Sequence, residues 1–294
     1  MPRLPRFKRS PEIPALRLTD RDREILRHVH RHRFLRSDHL ANLVAGSRQQ
    51  TLRRLQRLFH HGYLERPRSQ IDYYQSGSRR IAYGLGNKGA AWLKRELSLP
   101  YYQLDWKHKN HVGRLFLEHI LLVADVMVAI ELACRKRPDI KLLLPDEAGL
   151  RPFQWKVEIG RRIKCGVIPD RVFGLEFTDA LGNKIQSWYL LEADRGTMPV
   201  TREDLNQSSF QRKLLAYEAT WTQNIHRVKF GWQRFRILTV TSKAERIATM
   251  QSAVQGLKRG HGLFLFLDAK QLSQDFFALR WQTYRENEAV SLLD

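Results

Sequence analysis

The sequence predicts a mixed α+β chain in two parts: a small basic module rich in short helices, then a larger α/β sheet domain. Three observations predict it. First, short capped apolar stretches crowd residues 19–62, and two β-prone stretches follow them. Second, apolar strands alternate with helical patterns from about residue 154 to residue 267. Third, charge is uneven. The 294 residues carry 51 Lys+Arg against 30 Asp+Glu, and the first 104 residues hold 22 basic and 8 acidic side chains, so two-thirds of the +21 excess sits there. A length near 300 suggests about two domains. A concentrated positive field suits a polyanion and speeds encounter with it.

Residues 1–15 mix prolines with Arg3, Arg6, Lys8 and Arg9, which predicts a flexible basic arm. A module over 16–97 follows. Thr19 with Asp22 reads as a capping box for a first helix that buries Ile25, Leu26 and Val29. Ser37 reads as the cap of a second, short helix with Leu40 and Leu43 inward, and Gly46 ends it. Ser47 caps a third, RQQTLRRLQRLFHHG, which Gly62 stops. At about 100° per residue, Leu52, Leu55, Leu58 and Phe59 gather on one side and Gln50, Arg53, Arg54 and Arg57 on the other. Arg and Gln pair with guanine and adenine edges, so Arg48, Gln49, Gln50, Arg53, Arg54 and Arg57 are the expected DNA-facing residues. Two β-prone stretches around SGS then read as a wing, with Arg79 and Arg80 near its tip to contact phosphate. A helix from Asn87 to about Leu97 closes the module. The pattern is a winged helix-turn-helix.

Residues 98–107 read as a linker, and 108–270 as the sheet domain. A long apolar helix is expected over His111–Arg135, then strands at Gln154–Ile159, Val167–Phe177 and Gln186–Ala193. A helix over Leu205–Thr220, a strand over Phe235–Thr241, a helix over Lys243–Leu257 and a strand over Leu263–Leu267 complete it. Residues 271–294 read as a helical tail, because Phe276, Phe277, Trp281 and Tyr284 fall at helical spacing as a packing or dimer-contact stripe.

Two segments carry the chemistry, IPDRVFGLEF and SWYLLEADRG. Each is a short apolar strand with acid at an end. Glu192 and Asp194 point the same way, since strand side chains alternate. With Asp170 they predict an oxygen-rich site for Mg²⁺ or Mn²⁺. His111, Glu118 and Asp125 recur every seven residues on the long helix, and Glu118 is a candidate additional ligand. Cys134 and Cys165 have no metal spacing and the histidines no matching cysteine pair, so no zinc is expected, nor any nucleotide or organic cofactor. The cysteine usage suggests a reducing compartment. Ile120–Cys134 is too short, and too interrupted by Asp125 and Glu131, to span a bilayer. A soluble, cytoplasmic protein associated with nucleoid or plasmid is the expectation.

The element order and the acids over about 111–267 resemble the PD-(D/E)xK nuclease superfamily. Pro169-Asp170 matches its first motif. Glu192-Ala193-Asp194 supplies the second acid but lacks the motif lysine. Some members move that lysine to the following helix, where Lys213 and Tyr217 share a face here. The resemblance implies that Asp170, Glu192 and Asp194 hold metal and that Lys213 places the attacking water. The whole chain, over about 16–250, resembles the replication-relaxation family of plasmid and mobile-element proteins. LTDRDREILRHVHRHRFLRSDHLANL, SRQQTLRRLQRLFHHGYLER, YGLGNKGAAWL, LLEADRGT, KLLAY and FRILTVT carry that resemblance. It implies double-stranded DNA as partner, together with plasmid replication or transfer machinery. A homodimer is one expected assembly, although no coiled-coil heptads are present. The residues leave three functions open: a DNA-binding protein with a nuclease-like domain, an active metal-dependent endonuclease, or a regulator or assembly factor on an inactive scaffold.

Overall fold

The computed structural model describes residues 6–10, 13–71, 80–96, 112–145, 153–160, 163–204 and 206–293. Contacts divide the described residues into two compact units, one up to Val128 and one from Ala129 onward. The proposed linker 98–107, most of the wing including Arg79, and His111 lie outside the described residues.

The first unit opens with α1 (Asp20–His32). Its capping box forms as the sequence requires: Asp22 N–H donates to Thr19 Oγ1 at 3.3 Å and Thr19 N–H to Asp22 Oδ2 at 2.8 Å. Ile25, Leu26 and Val29 are fully buried. β1 (Leu35–Arg36) leads into α2 (Ser37–Leu43), and Ser47 caps α3 (Arg48–His60) by accepting Gln50 N–H at 3.2 Å. Gly62, at φ +82°, reverses the chain into β2 (Leu64–Glu65), a conformation that costs an L side chain strain. β3 (Ala82–Leu85) pairs antiparallel with both β1 and β2, giving the order β1-β3-β2, and α4 (Asn87–Glu96) follows.

Two expectations for this unit need correction. Leu52 is not a core residue. It is 37% exposed, and Thr51 is fully buried in its place. Leu55, Leu58 and Phe59 stand four, seven and eight places after Thr51, so they fix a stripe that passes through Thr51 and misses Leu52. Ser37 is also not a cap: the N-cap position of α2 is Arg36, and Ser37 is the first residue of the helix. Arg9 Nε donates to Phe59 O at 3.1 Å, Ser10 N–H to His60 Nδ1 at 3.1 Å, and Arg57 Nη2 to Ala15 O at 2.9 Å. Arg66, 5% exposed, stacks between Phe59 and Tyr83 and donates to Arg6 O.

α5 (Arg114–Cys134) runs through the division between the units. The second unit then builds β4 (Ile140–Leu143), the hairpin β5 (Trp155–Ile159) and β6 (Ile163–Val167), β7 (Arg171–Thr178) and β8 (Lys184–Asp194). After these come α6 (Phe210–Thr222), α7 (Ile225–Phe230), β9 (Phe235–Thr241), α8 (Arg246–Gln255) and β10 (Phe264–Asp268). The last strands are β11 (Trp281–Gln282) and β12 (Ala289–Val290). One sheet runs β12-β11-β10-β9-β8-β7-β4. β8, β9 and β10 are mutually parallel, joined by helical crossovers, while β4-β7-β8 and β10-β11-β12 are antiparallel. The core on one sheet face packs Leu190, Ile237, Phe264 and Phe266 against Leu214 and Tyr217 of α6 and Met250 of α8.

The single strand expected over Val167–Phe177 is two strands. β6 belongs to a separate hairpin and β7 enters the sheet, with Ile168-Pro169-Asp170 between them, because proline has no N–H for a ladder. β4 went unread in the sequence, being only four residues long. The tail is not a helix. It forms short 3-10 turns and two short strands, of which β12 is the sheet edge. Its aromatics are core residues, with Phe276, Phe277 and Trp281 at 2%, 7% and 0% exposure. Sheet pairing of β11 with β10 outcompetes the helical spacing.

Candidate functional site

The acids converge through strand register. The paired register of β7 and β8 ends at Arg171–Leu191, and Asp170 stands just before it. Asp170 N–H donates to Leu191 O at 3.0 Å, and Asp170 Oδ2 accepts Ala193 N–H at 2.8 Å. Alternation then turns Glu192 to the face of Leu190, where α6 packs.

α6 arrives in a fixed phase. Ser209 caps it by accepting Arg212 N–H at 3.1 Å, Phe210 N–H donates to Pro199 O at 3.1 Å, and Gln211 N–H to Val200 O at 2.8 Å. Further along, Trp155 Nε1 donates to Thr220 Oγ1 at 2.8 Å. Lys213 and Tyr217, one turn apart, both reach Glu192: Lys213 Nζ donates to Oε2 at 2.5 Å, and Tyr217 Oη donates to Oε1. Glu192 is 4% exposed and Tyr217 2%. Val167, Ile168, Met198, Arg212, Lys213 and Glu192 are among the walls of an adjoining pocket of about 230 Å³.

The electrostatics are those of opposed demands. Burial pushes Glu192 up, Lys213 pulls it down, and the negative charge of Asp170 pushes it up again; the net direction is up. Burial lowers Lys213, but the Glu192 and Asp170 carboxylates outweigh it and hold the ammonium charged. Burial and the same two carboxylates drive Tyr217 well above the usual phenol range, so it stays a donor.

The other expected site residues are placed differently. Asp194 Oδ2 accepts Thr241 Oγ1 at 2.8 Å and Arg246 Nε at 3.0 Å, and Oδ1 accepts Arg246 Nη2 at 3.2 Å. Its oxygens are spent tying β8 to β9 and α8. Gly196, at φ +69°, returns its N–H to Asp194 at 3.2 Å; a Cβ there would strike the Lys243 side chain. Glu118 lies in the first unit, where Oε1 accepts Arg114 Nε at 3.2 Å. The sequence named Tyr217 as the face-mate of Lys213 but gave it no role, and Arg212 had no signal in it at all.

On α3, Arg48, Gln49 and Arg53 are exposed. Gln50 is exposed and accepts Arg21 Nη1 at 3.3 Å. Arg54 leaves the outward face: Nε donates to Asp22 Oδ1 at 2.9 Å, Nη2 to Asp22 Oδ2, and Nη2 also to Arg17 O at 3.1 Å. Asp22 is fully buried. Burial raises its pKa, but the bonds from Arg54 and Thr19 more than reverse this and the net shift is downward. Arg57 is half-buried under the arm, and Arg80 pairs with Asp38.

Fold and site together define a mixed α+β protein whose second unit holds a buried carboxylate, a facing lysine and a second carboxylate just before an antiparallel strand. The chain belongs to the replication-relaxation family, whose profile matches residues 26–231. Membership points to a role in the replication or relaxation of plasmids or mobile elements. No curated protein and no solved structure matches the chain. Among the described residues, no helix is long and apolar enough to cross a membrane.

Proposed function

We propose that this chain is a cytoplasmic, plasmid- or mobile-element-associated protein that binds duplex DNA through its first unit and carries a metal-dependent phosphodiesterase site in its second. One observation carries the second half: Lys213, from the helix after β8, bonds Glu192 in the neighbourhood of Asp170. It supports the PD-(D/E)xK reading with the motif lysine moved to the helix. The β4-β7-β8 meander followed by parallel β9 supports it as well. The capped helices α1–α3 and the β1-β3-β2 sheet support the winged helix-turn-helix reading. Exposed Arg48, Gln49, Gln50 and Arg53 are then the base- and phosphate-facing set, Arg57 and Arg80 stand at its margin, and Arg54 serves the fold.

Asp170 and Glu192 fit a divalent cation. They are hard oxygen donors, and the charge of Asp170 already works against ionised Glu192. Asp194 fits poorly, because Arg246, Thr241 and Gly196 occupy its oxygens. When bound, Mg²⁺ or Mn²⁺ supplies an activated water and screens phosphoryl charge. Of the chain's own groups, Asp170 is aimed by Ala193 N–H and Glu192 by Tyr217. Lys213 holds a proton at Nζ to orient the incoming water and offset charge at the phosphoryl oxygens.

The test is nicking of supercoiled plasmid with Mg²⁺ or Mn²⁺, compared with an Asp170→Ala/Glu192→Ala variant. Metal-dependent nicking lost in the variant supports the reading. Absence of nicking with either metal, with duplex binding intact, would move the protein to the regulator class.

A further inference from the structure

Lys213 is not the only cation on the wall of the Glu192 pocket. Arg212, the preceding residue of α6, lines it as well. The two guanidinium ends of Arg212 are in unlike situations. Nη1 donates to Asn206 O at 2.8 Å, which fixes the group to the chain leading into the helix. Nε is buried and has no hydrogen-bond partner. A buried N–H without an acceptor costs stability, and such a group in a native fold calls for an explanation. Asp204 is the nearby acid that feels the Arg212 charge, but its carboxylate is taken up by Asn206. On the edge away from Nη1, the Nε and Nη2 donors of a guanidinium run parallel, the geometry that suits two oxygens of one phosphate once the side chain turns Nε out of its burial.

We infer that Arg212 is a phosphate-positioning residue: it takes a phosphate next to the one held at Glu192 and Lys213. The substrate is then a nucleic-acid strand with consecutive phosphates rather than an isolated phosphodiester. The inference rests on the phosphodiesterase reading of the pocket and adds the substrate's second contact. The pocket supports a strand over a lone ion. Beyond its cations it has an apolar wall of Val167, Ile168 and Met198, against which a sugar or base can lie.

The experiment measures binding without cleavage. The full chain, in EDTA, is titrated with the dinucleotides TpT, pTpT and TpTp. Affinities are compared between the native protein and Arg212→Gln, which keeps an amide donor for Asn206 O. One of the two terminal phosphates should tighten binding about tenfold in the native protein and less than twofold in Arg212→Gln. Arg212→Lys should keep an intermediate gain, because it retains charge without the fork. In arginine-labelled native protein, the Nε–H resonance absent from the Arg212→Lys spectrum should shift on titration. That readout decides the matter if Arg212→Gln fails to fold. An equal gain from the terminal phosphate in the native protein and Arg212→Gln, or an unmoved Nε–H resonance, overturns the inference. Failure of plasmid nicking would strike the phosphodiesterase reading and leave this binding comparison standing.

Discussion

Asp22 with Arg54 in the first unit and Glu192 with Lys213 in the second are both buried carboxylates facing a cation, and the two pairs are built to opposite ends. In the first, Asp22 meets Arg54 in a two-bond fork while Thr19 supplies two further donors, and no second acid intrudes. Burial is overcome and the Asp22 pKa falls. In the second, Glu192 meets Lys213 and Tyr217 with Asp170 in electrostatic reach, and its pKa rises. The first arrangement is satisfied and holds a fold together. The second keeps a like charge close, a tension that the proposed cation would relieve. Perturbation by burial plus a specific charged partner marks both places. The direction of the shift separates scaffold from candidate site.

Removing one partner probes the first pair hardest. Asp22→Ala should destabilise the first unit by about 3–5 kcal/mol, because it strands Arg54 and removes the Asp22 half of the α1 capping box. Urea unfolding followed by a probe in that unit checks it; a loss below about 1 kcal/mol would mean that the pair is not structural. Lys213→Met should leave folding intact and cut metal-dependent nicking about 10²–10³-fold, as loss of one preorganised electrostatic group does. Unchanged nicking would make Lys213 a mere counter-ion. Arg53→Ala should weaken duplex binding about tenfold with no change in melting, whereas Arg54→Ala should lower the melting temperature. The reverse pattern would return Arg54 to the DNA face.

Glu192→Gln sharpens the contrast through pH. A carboxyl raised in the native state makes the native protein lose stability as pH climbs from the ordinary value of 4.5 through the raised one. Glu192→Gln should erase that slope and change stability at neutral pH by no more than about 1 kcal/mol while abolishing nicking. Asp22 slopes the other way. Its contribution is full above its ordinary 3.8 and is lost as pH falls through the lowered native value. Matching slopes in the two variants would collapse the distinction between the pairs. The smallest effect belongs to Leu52→Gln, which should move stability by less than about 0.5 kcal/mol, since the side chain is already 37% exposed. A loss of several kcal/mol would restore it to the core.

Much of this was legible in the residues. Thr19 with Asp22, Ser47 and Gly62 mark their helix ends because capping is settled within four residues. The period-two pattern of β8 and the i,i+4 spacing of Lys213 and Tyr217 offered Lys213 to Glu192 once the two elements were assumed to face each other, while the Tyr217 bond went unread. Helical phase was harder. Arg54 and Arg57 sit at the edge of the α3 stripe, and only the neighbours decided that one turns to Asp22 and the other under the arm. The tail was misread because Phe276 and Trp281 bury equally well from turns and short strands as from a helix.

The sequence by itself determined what local chemistry can decide: the caps, the strand alternation, the acids at Asp170 and Glu192, and the basic weighting of the first third. Only the tertiary structure decided which charges meet. Bonds to Leu191 O and Ala193 N–H hold Asp170 beside β8, and the packing of α6 brings Lys213 and Tyr217 onto the Glu192 carboxylate. Asp194, two residues from Glu192 and identical to it in sequence logic, is drawn instead to Arg246, more than fifty residues on. The reason is physical: a buried carboxylate takes the strongest donor the fold brings within about 3 Å, and that distance is fixed by long-range packing, which no local pattern encodes.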